Sequence, residues 1–174
     1  MNEIIKAMKE RRSIRKFKPD MVPQELIDQV IEAGLYAASG MGKQAASIIA
    51  ITDRELRDKV SEDNRRIGGW KEGFDPFYGA PVILLVIGNK EVPTHVYDGS
   101  LVMGNLMLAA HSVGLGSIWI HRAKEEMMMD SYKELLKEFG VEGEWEGIGH
   151  CAIGYTDGEQ PAAADRKEGR VHYK

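Results

Sequence analysis

The residues best suited to chemistry stand near the N-terminus, where positions 11 to 18 read RRSIRKFK. Arg11, Arg12, Arg15, Lys16 and Lys18 place five cations in eight residues, with Ser13 as a neutral hydroxyl donor among them. Guanidinium forks grip phosphate or carboxylate oxygens bidentately, and each charge-assisted hydrogen bond contributes about 1.5–3 kcal/mol. A solvated basic loop would have the same composition. Two features favour cations with fixed directions: Pro19 forbids a helix through the segment, and Ile14 and Phe17 can anchor it to a core. Charge is also unevenly spread. Residues 1–18 carry seven Lys/Arg against Glu3 and Glu10, a net of +5, in a chain whose formal net charge is −4. An acidic remainder argues against a nucleic-acid partner and for a small anion.

A second stretch, GLGSIWIHRA at 114–123, reads as a strand end whose backbone N–H groups point outward beside Trp119, His121 and Arg122; an ordinary strand-to-helix turn is the alternative. No GxGxxG and no GxxxxGK[ST] occurs, so neither dinucleotide fingerprint nor P-loop is present. His95, His111, His121, His150 and His172 form no HExxH and no Cys/His ligand spacing, which argues against a metal. His111, in an apolar helix, and His150, in a strand, read as hydrogen-bonded core residues. Cys151, the single thiol, lies mid-strand in IGHCAIG and reads as inert; alone it also excludes an intramolecular disulfide. No serine sits in a GxSxG elbow. The nine methionines read as core filling, with the run at 127–129 as a possible subunit contact. The pattern is an anion grip without nucleophile, metal or acid–base pair, which fits chemistry carried by a cofactor.

The elements that must position these residues are legible from periodicity. Ile4, Ile5 and Met8 predict a short helix over 2–10; a second helix starts at Pro23 and runs to Ala37, ended by SGMG at 39–42. ASIIAIT (46–52), PVILLVIG (81–88), GSIWIH (116–121) and IGHCAIGY (148–155) predict four core strands. Thr52 and Glu55 suggest a capping box for a helix over 53–63, followed by a long aromatic and glycine-rich loop over 64–80. Residues 98–113 are apolar almost all round and predict a helix buried on every side, with Gly114 as its C-cap. An amphipathic helix is expected over 124–139, and a polar tail from Thr156. Strands alternating with helices suggest a doubly wound parallel sheet, although connection order does not set strand direction. The 174 residues fit one domain; no segment reaches the roughly 18 apolar residues of a membrane span, and the N-terminus lacks a leader's apolar stretch, so a reducing cytoplasm is expected.

Taken in order, RRSIRKF, ASGMGKQ (38–44), FYGAPVILLV (77–86), DGSLVMGNLMLAAHSVGLGSIWI (98–120), GIGHCAIGY (147–155) and the terminal ADRK make the chain resemble the FMN-dependent nitroreductase family over nearly its whole length. The resemblance implies an α+β fold, a mixed and largely antiparallel central sheet flanked by helices, in an intertwined homodimer with FMN at the interface. That replaces the parallel sheet. It implies Arg11, Arg12 and Ser13 on the phosphate and ribityl chain and Arg15 near the pyrimidine edge, where a cation stabilises charge arriving with a hydride. It implies Trp119, Ile120, His121 and Arg122 along the ring, Asn64 at its polar edge, and Arg166 and Lys167 returning from the tail to the phosphate. Ser39, Gly40, Met41 and Gln44 would meet the partner subunit's flavin. Gly42 and Ala45-Ala46 stand where many members have Asn and Pro-Trp. The implied activity is ping-pong transfer of hydride from NAD(P)H through the flavin to a nitroaromatic, quinone or similar acceptor, with no catalytic side chain; a flavin-binding sensor or cofactor-handling module is the alternative.

Overall fold

The computed structural model describes residues 1–174. In chain order the elements are α1 (Glu3–Glu10), α2 (Gln24–Leu35), β1 (Ala46–Ile51), α3 (Arg54–Gly68), β2 (Val82–Asn89), α4 (His95–Ser112), β3 (Gly116–Ile120), α5 (Ala123–Met127), α6 (Asp130–Glu138) and β4 (Trp145–Gly154). The strands form one sheet in the order β1-β2-β4-β3, and all three pairings are antiparallel. The parallel arrangement suggested by strand–helix alternation is therefore wrong, for a topological reason. β2 and β3, joined through α4, do run the same way, but β4 slots between them and runs against both. The mixed character comes from the N-terminal ribbon, where Ser13 and Ser117 make a parallel bridge at the edge of β3.

The sheet is covered on both faces, which is why β2 reads as an unbroken apolar run. Ile83, Leu85 and Ile87 join the core under α3, α5 and α6, while Val82, Leu84 and Val86 join the core under α2 and α4. Such a sheet fixes the ribbon. Ile14 N–H donates to Ser117 O at 3.0 Å, Phe17 N–H to Tyr78 O at 3.2 Å and Lys18 N–H to Tyr155 O at 2.8 Å, and the Ile14 and Phe17 side chains are buried as expected.

Several boundaries differ from the sequence expectation. α3 is capped by Asp53, whose carboxylate accepts from Leu56 N–H at 2.8 Å, rather than by Thr52 with Glu55. It runs on to Gly68 and ends at left-handed Gly69, so more than one turn of the expected 64–80 loop is helix; Arg57, Val60, Ser61 and Asn64 form its buried face. The helix expected over 124–139 is broken. A continuous helix carrying Ala123, Glu126 and Met127 inward would next bury 130 and 134, yet the buried residues are Tyr132 and Leu136, and extended Met129 resets the register. α4 buries Gly99, Val102, Met103, Leu106 and Ala110 but, within one chain, leaves Val96, Tyr97 and Leu101 exposed. Gly114 closes it as expected: Leu115 N–H reaches Ala110 O and Gly114 N–H reaches His111 O. No helix is long and apolar enough to cross a membrane.

Candidate functional site

The ribbon lays its cations along the open edge of β3. Arg12 Nη1 donates to Lys9 O at 2.8 Å and Arg11 O at 2.7 Å, which curls its guanidinium back onto the end of α1. Arg12 Nε and Arg11 Nη1 are both buried and have no acceptor. Burial, with the Arg12 charge beside it, pulls Arg11 below the ordinary arginine pKa, against the opposing influence of nearby Cys151. A buried donor without an acceptor is costly, and an orphan on a guanidinium more so. Two of them side by side suit an anion. Ser13 sits between them and the buried Ile14, half-buried, while Arg15 is exposed and free of partners in the chain.

At the other end of β3, Trp119 Nε1 is a third buried donor without an acceptor, and the indole stands 5.8 Å from the His121 ring. The indole fits there because the strand beside it has Gly149, where a Cβ would overlap it. Ile120 is buried, so only its backbone can face outward; His121 and Arg122 are exposed. Arg122 has φ +85, unusual for a residue with a side chain, and turns the strand directly into α5. Gly147 makes room for this turn, since a Cβ there would meet the Ala123 carbonyl.

Asn64 turns its amide N–H groups inward. It is fully buried, and its Nδ2 donates inward to His121 O at 2.7 Å and Glu126 Oε1 at 2.8 Å. Through these bonds it holds the strand end from behind, while its Oδ1 is left without a partner. His150 is a buried core histidine, 2.8 Å from Glu126, whereas His111 is only half-buried and its ring makes no hydrogen bond. Cys151 is buried, and burial pushes its thiol up to about 12, as an inert residue requires.

Ser39, Gly40, Met41 and Gln44 lie elsewhere, on the loop into β1. The loop is held by the buried Asp98, which accepts from Gly40 N–H at 3.0 Å and Thr94 Oγ1 at 3.0 Å, and by Ser39 Oγ, which accepts from Gln44 N–H at 3.1 Å. Met41, Gly42 and Gln44 all have positive φ. β1 and β3 are opposite edges of the sheet, three strand spacings or about 14 Å apart. Arg166 and Lys167 are exposed on the tail, which earlier touches the end of α1, where Gln160 Nε2 donates to Glu10 O at 2.6 Å. The structure thus brings Ser13, next to Arg11 and Arg12, to the strand that leads into His121 and Arg122, and leaves the 39–44 loop at the opposite edge of the sheet. Sequence reasoning missed Asp98, Glu126, Gly147 and Gly149. The glycines had a readable signal, two small residues two apart in one apolar run, which the bulge in β4 turns to opposite faces of the sheet; Glu126, in a charged stretch beside Lys124 and Glu125, had none.

A four-stranded antiparallel sheet with an arginine ribbon on its edge defines a class, and comparison with known proteins agrees. The Nitroreductase family profile matches residues 8–155, and the chain belongs to that family. The chain is 25% identical to a nitroreductase from Bacteroides fragilis NCTC 9343 solved with bound FMN, with a TM-score of 0.87 and 99% of each chain covered. An FMN-dependent nitroreductase from Clostridium difficile R20291 is 31% identical, with a TM-score of 0.79 over 97% of this chain and 98% of that one. An FMN reductase [NAD(P)H] from Bacillus subtilis strain 168 is 31% identical over 140 residues, 68% of this chain and 53% of its own length. The chain spans 60% and 53% of the length of two curated relatives it matches.

Proposed function

We propose that this chain is an FMN-dependent oxidoreductase that uses NAD(P)H to reduce a small aromatic acceptor such as a nitroarene or quinone. The observation that carries the reading is the pair of buried guanidinium donors, Arg11 Nη1 and Arg12 Nε, left without acceptors beside β3. They fit the phosphate of a mononucleotide, and the exposed turn at His121–Arg122 on the same strand gives a ring somewhere to lie. FMN, when bound, supplies the two-electron transfer. The chain supplies position and charge: Arg11, Arg12 and Ser13 hold the phosphate end, and Arg15, unpaired, is the cation available to the ring's electron-rich edge. A relative solved with bound FMN, one named as an FMN-dependent nitroreductase and one named FMN reductase [NAD(P)H] support the same assignment.

The flavin lies between two copies in this proposal, because one chain places its ribbon and its 39–44 loop on opposite edges of the sheet. The exposed Tyr97 and Leu101 of α4 and Ile4, Ile5 and Met8 of α1 give the second copy an apolar surface to cover. Each chain contributes one flavin-binding domain, in the cytoplasm, where NAD(P)H is supplied. Donor and acceptor share one cleft, so initial rates follow ping-pong kinetics. The test is a visible spectrum of the purified protein: yellow, bleached anaerobically by NADH or NADPH, and restored by a quinone or nitroarene. A colourless protein that takes up no FMN would overturn the reading.

A further inference from the structure

The three segments that the flavin reading gathers around the cofactor, 11–15, 39–44 and 119–122, hold Arg11, Arg12, Arg15, Lys43 and Arg122 but no Asp or Glu, in a chain whose formal net charge is −4. Carboxylates that touch these segments from outside are committed elsewhere. Asp98 is buried on Gly40 N–H and Thr94 Oγ1, Glu126 is buried against Asn64 and His150, and Glu10, next to Arg11, lies 3.9 Å from Lys6. Glu125 alone pairs with one of the five cations, reaching Arg122 Nη1 at 3.1 Å with the two side chains 42% and 43% exposed. Exposed pairs of this kind are weak and open readily. Arg15 and Lys43 are exposed and have no acid partner in the chain.

FMN does not use up this charge. Its phosphate monoester offsets about two of the cations near neutral pH, and a hydride on the ring about one more. The surplus includes the ring end itself, where Arg122 projects beside the Trp119–His121 pair, whose rings are 5.8 Å apart. That pair offers an aromatic molecule a flat apolar flank, and the guanidinium offers an anionic substituent a bidentate grip. The electron donor does not account for a cation at this level. Its reduced nicotinamide is uncharged, and its pyrophosphate lies a ribose further away.

We propose that the acceptor brings a negative charge of its own: the cleft selects an aromatic acceptor bearing a carboxylate, and the Arg122 guanidinium is the group that holds it. The proposal rests on the flavin reading above and names the substrate class of that same site.

Two acceptors of nearly the same shape, 4-nitrobenzoate and 4-nitrobenzamide, differ in charge and test the selection. Titrated calorimetrically into the FMN-loaded protein without NAD(P)H, the benzoate is expected to bind about tenfold tighter than the amide, and kcat/KM should favour it to the same degree through KM. Arg122→Gly removes the guanidinium and keeps the turn, since glycine takes φ +85 without strain, and should bring both preferences to within about twofold. Arg122→Lys keeps the charge without the fork and should fall between them. A wild-type protein without preference, or a preference that Arg122→Gly leaves unchanged, overturns the proposal. So does an Arg122→Gly protein whose only loss is a raised KM for NADH or NADPH, which would give the cation to the donor's phosphates. A protein that takes up no FMN defeats the flavin assignment instead, before either acceptor is added.

Discussion

Among the cations of the ribbon, environment separates those that bind from those that merely solvate. Lys16 is exposed and already satisfied by Asp157 at 2.7 Å, whose carboxylate that contact holds below the ordinary range. Arg11 and Arg12 are half-buried, with N–H groups that nothing in the chain accepts. Removing either guanidinium forfeits a charge-assisted hydrogen bond, so Arg11→Ala and Arg12→Ala should raise the FMN dissociation constant roughly ten- to a hundredfold by flavin fluorescence titration. Lys16→Ala should change it by less than about twofold. Cys151 gives a second prediction. Burial raises its thiol pKa to about 12 against the opposing charge of Arg11, while in the unfolded chain it ionises near its ordinary value of 9.0. Between those values the unfolded state binds fewer protons, so stability falls as pH rises, by at most about 1.4 kcal/mol per unit. Cys151→Ala should lack that contribution to the slope in urea titrations from pH 8 to 11, and native Cys151 should stay unlabelled by thiol reagents at pH 8.

The loop after α3 shows how one carboxylate organises an element. Asp75 accepts from Ser61 Oγ at 2.7 Å, Phe77 N–H at 3.0 Å and Gly79 N–H at 2.8 Å, and pairs with Arg57, itself bonded to Ala80 O at 2.9 Å. Burial pushes its pKa up, but the Arg57 and Ser61 hydrogen bonds outweigh it and leave the carboxyl below its ordinary 3.8. The stabilisation is therefore present above pH 3.8 and lost as pH falls through the lower folded value. Asp75→Asn should cost about 2 kcal/mol in urea denaturation at neutral pH, and the gap from wild type should close in strong acid. Such a turn was invisible beforehand: NRRIGGWKEGFDPFYGA offers two acids, Glu72 and Asp75, and nothing in their spacing says which one four donors converge on. What was readable is what repeats. The apolar runs announced every strand, and the segment between a helix and Pro19 announced the ribbon, because period and proline are local signals. Asn64 shows the limit, since periodicity placed it in a loop and the longer helix buries it. Glycine spacing carries more than it first shows. Gly147→Ala would push a methyl into the Ala123 backbone, which cannot yield, and Gly149→Ala into the Trp119 indole, which can swing. Overpacking against backbone should cost Gly147→Ala about 2–3 kcal/mol and Gly149→Ala less, read as a lower melting temperature.

For the whole molecule, the separation of the ribbon from the 39–44 loop sets the decisive experiment. The sheet puts them on opposite edges, and a site made from both must draw on two chains or on none. α4 leaves Tyr97 73% and Leu101 51% exposed, a face that a second copy would cover. Leu101→Glu would bury an unpaired carboxylate in that contact, and sedimentation should show it as monomer with FMN lost in parallel. Monomer formation alone does not say which chain supplies which half of the site, but complementation does. Arg11→Ala homodimers and Ser39→Ala/Gln44→Ala homodimers should each bind FMN weakly, since both of their sites carry a defect. Mixed dimers of the two variants place both defects in one site and neither in the other if ribbon and loop come from different chains. They should then bind one FMN at wild-type affinity, read as half the wild-type stoichiometry. If each chain completes its own site, every site in the mixed dimer carries one defect and no tight binding returns, which would exclude a site shared across the interface.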